Sequence, residues 1–145
     1  ILRCLVGSEM CIRDSGYREE RSWKQLNINV ASLVQFFNEI KIVKSDRIAA
    51  YMPNCIETVE AFIATSSVGG IWSTCSPDFG VRGLVERFSQ IKPKLLFITD
   101  QYFYNGKQIN ISERLPEILK LIPSIKNVVI INYPGKKFLK INKMD

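Results

Sequence analysis

The sequence predicts an α/β fold: a Rossmann-like, mostly parallel sheet with helices on both faces. Three observations carry that prediction. Short apolar runs such as "RIAAYMP" (Arg47 to Pro53), "KLLFITD" (Lys94 to Asp100) and "NVVIIN" (Asn127 to Asn132) lack the alternation of a half-exposed sheet, so both their faces should be covered. The stretches between them repeat apolar residues every three or four positions, which is the helical period. The two kinds of segment alternate, the order expected of βαβ units, and right-handed crossovers then place helices on both sides of one sheet.

The first helix is announced by Ser22 with Gln25 three residues on, a capping-box spacing. Trp23, Leu26, Val30, Leu33, Val34, Phe37 and Ile40 then fall on one helical face. Lys44-Ser45-Asp46 reads as a turn into the strand that ends at Pro53. Asn54 with Glu57 repeats the cap logic for a second helix, whose apolar positions are Ile56, Val59, Phe62 and Ile63. Gly69-Gly70 should stop it, because helix propensity collapses there. Ile71 to Thr74 is expected as a buried strand. Val81, Leu84, Val85, Phe88 and Ile91 outline a third helix ended before Pro93. Leu115, Ile118, Leu119 and Ile122 outline a fourth before Pro123, and the lysine-rich tail from Tyr133 to Asp145 reads as a surface strand or an onward connection.

Composition narrows the function classes. At 145 residues and 46% hydrophobic content the chain can build the core of one domain, and no apolar run reaches membrane length. The net charge is +6, but the lysines are dispersed and lack the aromatic-basic interleaving of a nucleic-acid surface. Neither nucleic acid nor membrane is therefore expected as a partner. Cys4, Cys11, Cys55 and Cys75 have no metal-binding or redox spacing; Cys55 and Cys75 suit a reducing compartment, and with no membrane anchor suggested a cytoplasmic parent enzyme is expected. "ILRCLVGSEMCIRDS", residues 1–15, has no clean helix or strand period and resembles a translated sequencing adapter, so it is expected to be foreign to the fold. Without Arg3, Arg13, Glu9 and Asp14 the net charge is still +6.

Sheets of this kind bind ligands beyond the C-terminal ends of their strands. Those ends carry Pro53-Asn54, Ser73 to Gly80 and Asp100 to Lys107. No G-x-G-x-x-G and no phosphate loop is present; Gly106-Lys107 and Gly135-Lys136 lack the upstream glycine. Asp78-Phe79-Gly80 matches a kinase metal tripeptide, but the kinase catalytic loop is missing. With no histidine, Ser73, Thr74 and Ser76 have no triad base in this chain, so no catalytic residue is assigned. "CSPDFG" reads best as a strand-to-helix connection, with Ser76 or Asp78 capping the next helix and Pro77 near its first turn.

The stretch "SWKQLNINVASLVQFF…KSDRIAAYMPNCIETVEAFIATSSVGGIWSTCSPDFG" resembles the start of the large domain of the AMP-forming acyl-CoA synthetases. "GGIWSTCSPDFGVRGLVERFSQIKPKLLFITDQYFYNGK" is most similar to the branch that activates acetoacetate; the acetyl- and propionyl-activating branches differ at "CSPDFG" and "FYNGK". The resemblance implies that residues 16–145 are an incomplete part of the large N-terminal domain of an adenylating enzyme. It implies ATP, CoA and Mg2+ as cofactors and acetoacetate as substrate in the parent protein. The family's "T-S-G-T-T-G-x-P-K" loop does not occur here, so the ATP and Mg2+ sites, and any metal ligands, are expected in the remainder of the parent chain.

One family site falls within the chain. Relatives contact the nucleotide part of CoA with a short basic, glycine-containing turn after the equivalent of Thr99-Asp100. By resemblance that turn is Tyr104, Asn105, Gly106 and Lys107, with Lys107 pairing a phosphate and Gly106 allowing close approach. Tyr104 stands where relatives often carry arginine, which removes a cation and leaves a ring able to stack on adenine. A plain β-turn with a solvated lysine is the alternative at this position. The rival readings for the whole chain are another short-chain acyl-CoA synthetase and a free-standing flavodoxin-like binding module.

Overall fold

The structure, a computed structural model, describes residues 7–11, 18–105, 107–133 and 138–141. Nine strands and four α-helices are described. Gly7–Cys11 (β1) and Arg18–Ser22 (β2) form an antiparallel pair. Part of the segment expected to be foreign is therefore strand, since backbone pairing needs no side-chain alternation; residues 1–6 and 12–15 lie outside the described residues.

Trp23–Glu39 (α1) precedes the main sheet. Arg47–Tyr51 (β3), Ile56–Ser67 (α2), Ile71–Cys75 (β4), Val81–Ile91 (α3) and Leu95–Thr99 (β5) follow. Gln101–Tyr104 (β6) and Lys107–Asn110 (β7) form a hairpin. Leu115–Leu121 (α4), Asn127–Ile131 (β8) and Phe138–Ile141 (β9) complete the order. The main sheet runs β4-β3-β5-β8-β9; its first four strands are parallel and β9 is antiparallel to β8. The expected Rossmann-like sheet is present, and the lysine-rich tail supplies its antiparallel edge. From β3 the chain steps one way to β4, then back across to β5. Right-handed crossovers therefore put α2 on one face and α3 on the other. The packing agrees: α1 lies on α2, and α3 lies on α4.

Strand alternation sorts the core into two layers. Ile48, Ala50, Trp72, Leu95 and Phe97 share one face by register, and Phe97 meets Phe37 of α1 edge-on at 6.1 Å. Small Ala50 lets the Trp72 and Phe97 rings approach to 6.1 Å over β3. On the opposite face, Tyr51, Leu96 and Ile98 lie among Leu84, Phe88 and Ile118 of α3 and α4, all fully or nearly fully buried.

Several local expectations change. Ser22 caps α1 through Gln25 N–H at 3.2 Å, but the Gln25 amide turns to Asn29, so the box is half closed. Trp23 is 47% exposed, one turn short of the core. The cap of α2 is Cys55, not Asn54: Cys55 is buried, and its carbonyl accepts from Thr58 N. The buried stripe of α2 is Ile56, Glu60, Ala61, Ala64 and Thr65, with Phe62 facing outward, because α2 lies against both α1 and the sheet. The cap of α3 is Gly80; the Ser76 and Asp78 side chains bond each other at 2.9 Å and close the preceding turn instead. Finally, β4 is an edge strand, with Ile71 51% exposed, and is not the buried strand expected.

The helix stop at Gly69 behaves as read. Its φ is +70°, and the next amide, of Gly70, returns to Thr65 O. A Cβ on Gly69 would also meet Lys44 Cγ at 3.2 Å. Gly69→Ala should cost roughly 1–2 kcal/mol of stability, the penalty of a left-handed L-residue. A urea titration showing a loss under a few tenths of a kcal/mol would contradict that assignment.

Candidate functional site

The C-terminal rim of the parallel sheet gathers three pieces: the end of β3, the loop after β4, and the hairpin after β5. Parallel strands start and end together, so a crossover must leave from this rim each time. The strand order β4-β3-β5-β8 reverses direction between β3 and β5, and such switch points are where doubly wound sheets bind ligands.

The hairpin is anchored at its base by Asp100. Asp100 N–H extends the ladder to Ile131 O at 3.0 Å, and its carbonyl accepts from Ile111 N at 2.8 Å and Ser112 N at 3.1 Å. Its carboxylate accepts from Tyr133 N at 2.8 Å. Gln101 adds a bond to Tyr133 O at 2.6 Å and accepts from the Gln108 amide across the pair. Tyr102 is buried and the Phe103 ring lies on Tyr133, so the base of the hairpin is packed, while Tyr104 and Lys107 further out are exposed.

The predicted CoA turn is that tip. Tyr104 and Lys107 face each other in register, and both are exposed. Asn105 has φ +50°, the left-handed start that a two-residue hairpin turn requires. Gly106 lies outside the described residues. No acidic side chain pairs with Lys107 among the described residues. An exposed lysine without a carboxylate partner, on a hairpin anchored at its base, suits a phosphate as a point-charge partner.

The second piece is the loop Ser76–Gly80. Its carbonyls converge on Tyr51, whose hydroxyl lies 2.5 Å from Phe79 O and 3.1 Å from Pro77 O. Arg114 Nη1 donates to the same hydroxyl at 2.6 Å and reaches Pro77 O at 3.3 Å. Burial pushes the Tyr51 phenol up, against the opposing pull of the Arg114 guanidinium. Burial and the neighbouring Asp78 carboxylate likewise raise Tyr102. Phe79, at the loop's outer edge, stacks under Arg87 at 4.4 Å. The sequence names the loop, the tip and Asp100 as candidates but not Tyr51 or Arg114. Tyr51 hides within an apolar run, and Arg114 sits in a short polar stretch without period.

Cys55 and Cys75 are not part of this chemistry. Burial holds Cys55 at about 12 and raises Cys75, so both thiols stay protonated at neutral pH. Among the described residues, no cluster of three or more His, Cys, Asp or Glu side chains has the arrangement to hold a metal, and no helix is long and apolar enough to cross a membrane.

The family model of the AMP-binding enzyme matches residues 6–143. The chain belongs to the AMP-binding enzyme family. It is 44% identical over 115 residues to an acetoacetyl-CoA synthetase of Xenopus tropicalis, which covers 79% of this chain and 17% of that protein. It is 42% identical over 114 residues to an acetoacetyl-coenzyme A synthetase of Rhizobium meliloti (strain 1021), again 79% of this chain and 17% of the relative. The solved acetoacetyl-CoA synthetase from Streptomyces lividans superposes with a TM-score of 0.78 at 34% identity, over 83% of this chain and 19% of that structure. The chain thus spans about a sixth of the length of the curated relatives it matches. For an AMP-binding enzyme the rim is the expected side of the sheet, and Asp78 to Gly80, Tyr104, Asn105 and Lys107 are exposed on it.

Proposed function

We propose that the chain is part of an ATP-dependent, AMP-forming ligase that joins acetoacetate to CoA. The observation that carries this reading is the 44% identity over 115 residues to a protein named acetoacetyl-CoA synthetase. In the first step an acetoacetate carboxylate oxygen attacks the α-phosphorus of ATP, giving acetoacetyl-adenylate and releasing pyrophosphate. In the second, the CoA thiol attacks the acyl carbon, loses its proton and displaces AMP. Mg2+ would neutralise the polyphosphate in the first step. The phosphate-binding loop that step needs is absent from the 145 residues, so the chain by itself is inactive.

The residues here serve the second step. The hairpin tip of Tyr104, Asn105, Gly106 and Lys107 takes the nucleotide part of CoA, with Lys107 on a phosphate and the Tyr104 ring against adenine. The anchored hairpin base and the exposed, acid-free Lys107 support this assignment. Unbridged Cys55 and Cys75 fit a reducing compartment and support a cytoplasmic parent enzyme.

The test is product analysis on the full-length enzyme that contains this chain. AMP should form only with acetoacetate, ATP and CoA together, and kcat/KM for acetoacetate should exceed that for acetate or propionate by roughly tenfold or more. Equal or faster turnover with acetate or propionate would assign the enzyme to the other short-chain branch.

A further inference from the structure

Two side chains that no motif marks tie the rim together. Tyr51 is fully buried at the end of β3 and Arg114 is half-buried just before α4; they are 63 positions apart in sequence. A phenol has one proton to give and lone pairs to receive. Here it faces Phe79 O and Pro77 O, and it accepts from Arg114. Arg114 has no carboxylate partner among the described residues; its guanidinium bonds the Tyr51 hydroxyl and Pro77 O. A half-buried cation held by neutral oxygens is placed for geometry more than for charge neutralisation.

That geometry joins two elements. On one side, Pro77 and Phe79 bracket Asp78 in the loop Ser76–Gly80. On the other, Arg114 N returns to Ile111 O at 2.9 Å, and Ile111, fully buried, returns to Asp100 O at the hairpin base. Arg114 is therefore rigidly tied to the hairpin while its guanidinium grips the loop.

We propose that Arg114, seated on Tyr51, is a positioning residue that fixes the loop Ser76–Gly80 and the hairpin Gln101–Asn110 in one relation for the CoA step. The proposal rests on the reading of the rim as the CoA side of the enzyme. Arg114 touches no reacting atom; it acts by keeping the two elements in register. Its loss should raise the KM for CoA and leave adenylate formation intact.

The test uses the full-length enzyme with Arg114→Met, Arg114→Lys, Tyr51→Phe and Lys107→Glu. Arg114→Met should raise the CoA KM about tenfold, the loss equivalent to one charge-assisted hydrogen bond, with acetoacetate-dependent ATP–pyrophosphate exchange within about twofold of wild type. Arg114→Lys should recover part of the loss, and Tyr51→Phe, which keeps the ring, should move the CoA KM the same way. Amide hydrogen exchange should quicken in both 76–80 and 101–110 in Arg114→Met. An unchanged CoA KM in both Arg114→Met and Tyr51→Phe would overturn the proposal, as would exchange falling in parallel with overall turnover. If Arg114→Met fails to fold, Arg114→Lys and Tyr51→Phe carry the same comparison. A raised CoA KM in Arg114→Met with none in Lys107→Glu would uphold the clamp, acting through the loop, and remove Lys107 from the CoA site.

Discussion

Phe97→Ala should lower the unfolding free energy by roughly 3–5 kcal/mol, the range for deleting a fully buried aromatic side chain. Phe97 is 0% exposed on the central strand β5, and its ring meets Phe37 of α1 and Trp72 of β4, each at 6.1 Å. Three elements therefore lose a shared contact at once. The neighbouring strand offers Ala50 in register, too small to collapse into the space. Against a typical domain stability of about 5–15 kcal/mol, this is a large fraction. Equilibrium urea unfolding measures it, and Trp72 fluorescence should report a wetter environment in the variant. A loss below about 1 kcal/mol would mean that the α1 layer does not close on the sheet as described.

The second large effect is electrostatic. Glu60 is fully buried on α2, and its Oε1 accepts from Arg21 Nη1 at 2.6 Å and from Asn29 Nδ2 at 2.8 Å. Arg21 Nη2 also reaches Glu57 at 3.1 Å. Glu60 Oε2 has no hydrogen-bond partner among the described residues. Burial raises the Glu60 carboxyl above its usual 4.5, with Asn29 and Arg21 opposing the rise. Arg21→Met leaves that carboxylate uncompensated and should cost roughly 3–5 kcal/mol at neutral pH. The sign with pH follows from the raised value. The folded state binds this proton more tightly than the unfolded chain, so the protonation contribution is full below about 4.5 and fades as pH rises through the folded value. The Arg21→Met loss should accordingly shrink on acidification, and Glu60→Gln in the same background should restore much of it. A loss independent of pH, or no rescue by Glu60→Gln, would show that the pair carries no buried charge. Arg82, whose bond to Glu86 lies in solvent, is the control and should leave stability unchanged when truncated.

The alternation of apolar runs with helical periods was enough to read the parallel sheet, because strands covered on both faces advertise themselves by uniform hydrophobicity. β4 misled for a related reason: "IWSTC" has the composition of a strand, and composition does not tell an edge from a centre. The α2 stripe departs from the apolar pattern because Glu60 and Thr65 face inward, where a polar residue is tolerated through Arg21, Asn29 and the Ala61 carbonyl. In the candidate site, Tyr104 to Lys107 stood out as a turn. The hairpin around that turn is not among the sequence expectations, although Asn105-Gly106 is a two-residue hairpin signal. Tyr51 and Arg114 were not legible, because their contact spans 63 positions and depends on backbone carbonyls, which carry no sequence identity.

The central claim is that the anchored hairpin after β5 presents Lys107 to a CoA phosphate. Lys107→Glu in the full-length enzyme tests it by replacing attraction with repulsion at an exposed position that packs against nothing in the core. The account predicts a rise of roughly tenfold or more in the KM for CoA, with acetoacetate-dependent ATP–pyrophosphate exchange within about twofold of wild type. A CoA KM unchanged from wild type would contradict it and return the tip to a plain turn with a solvated lysine.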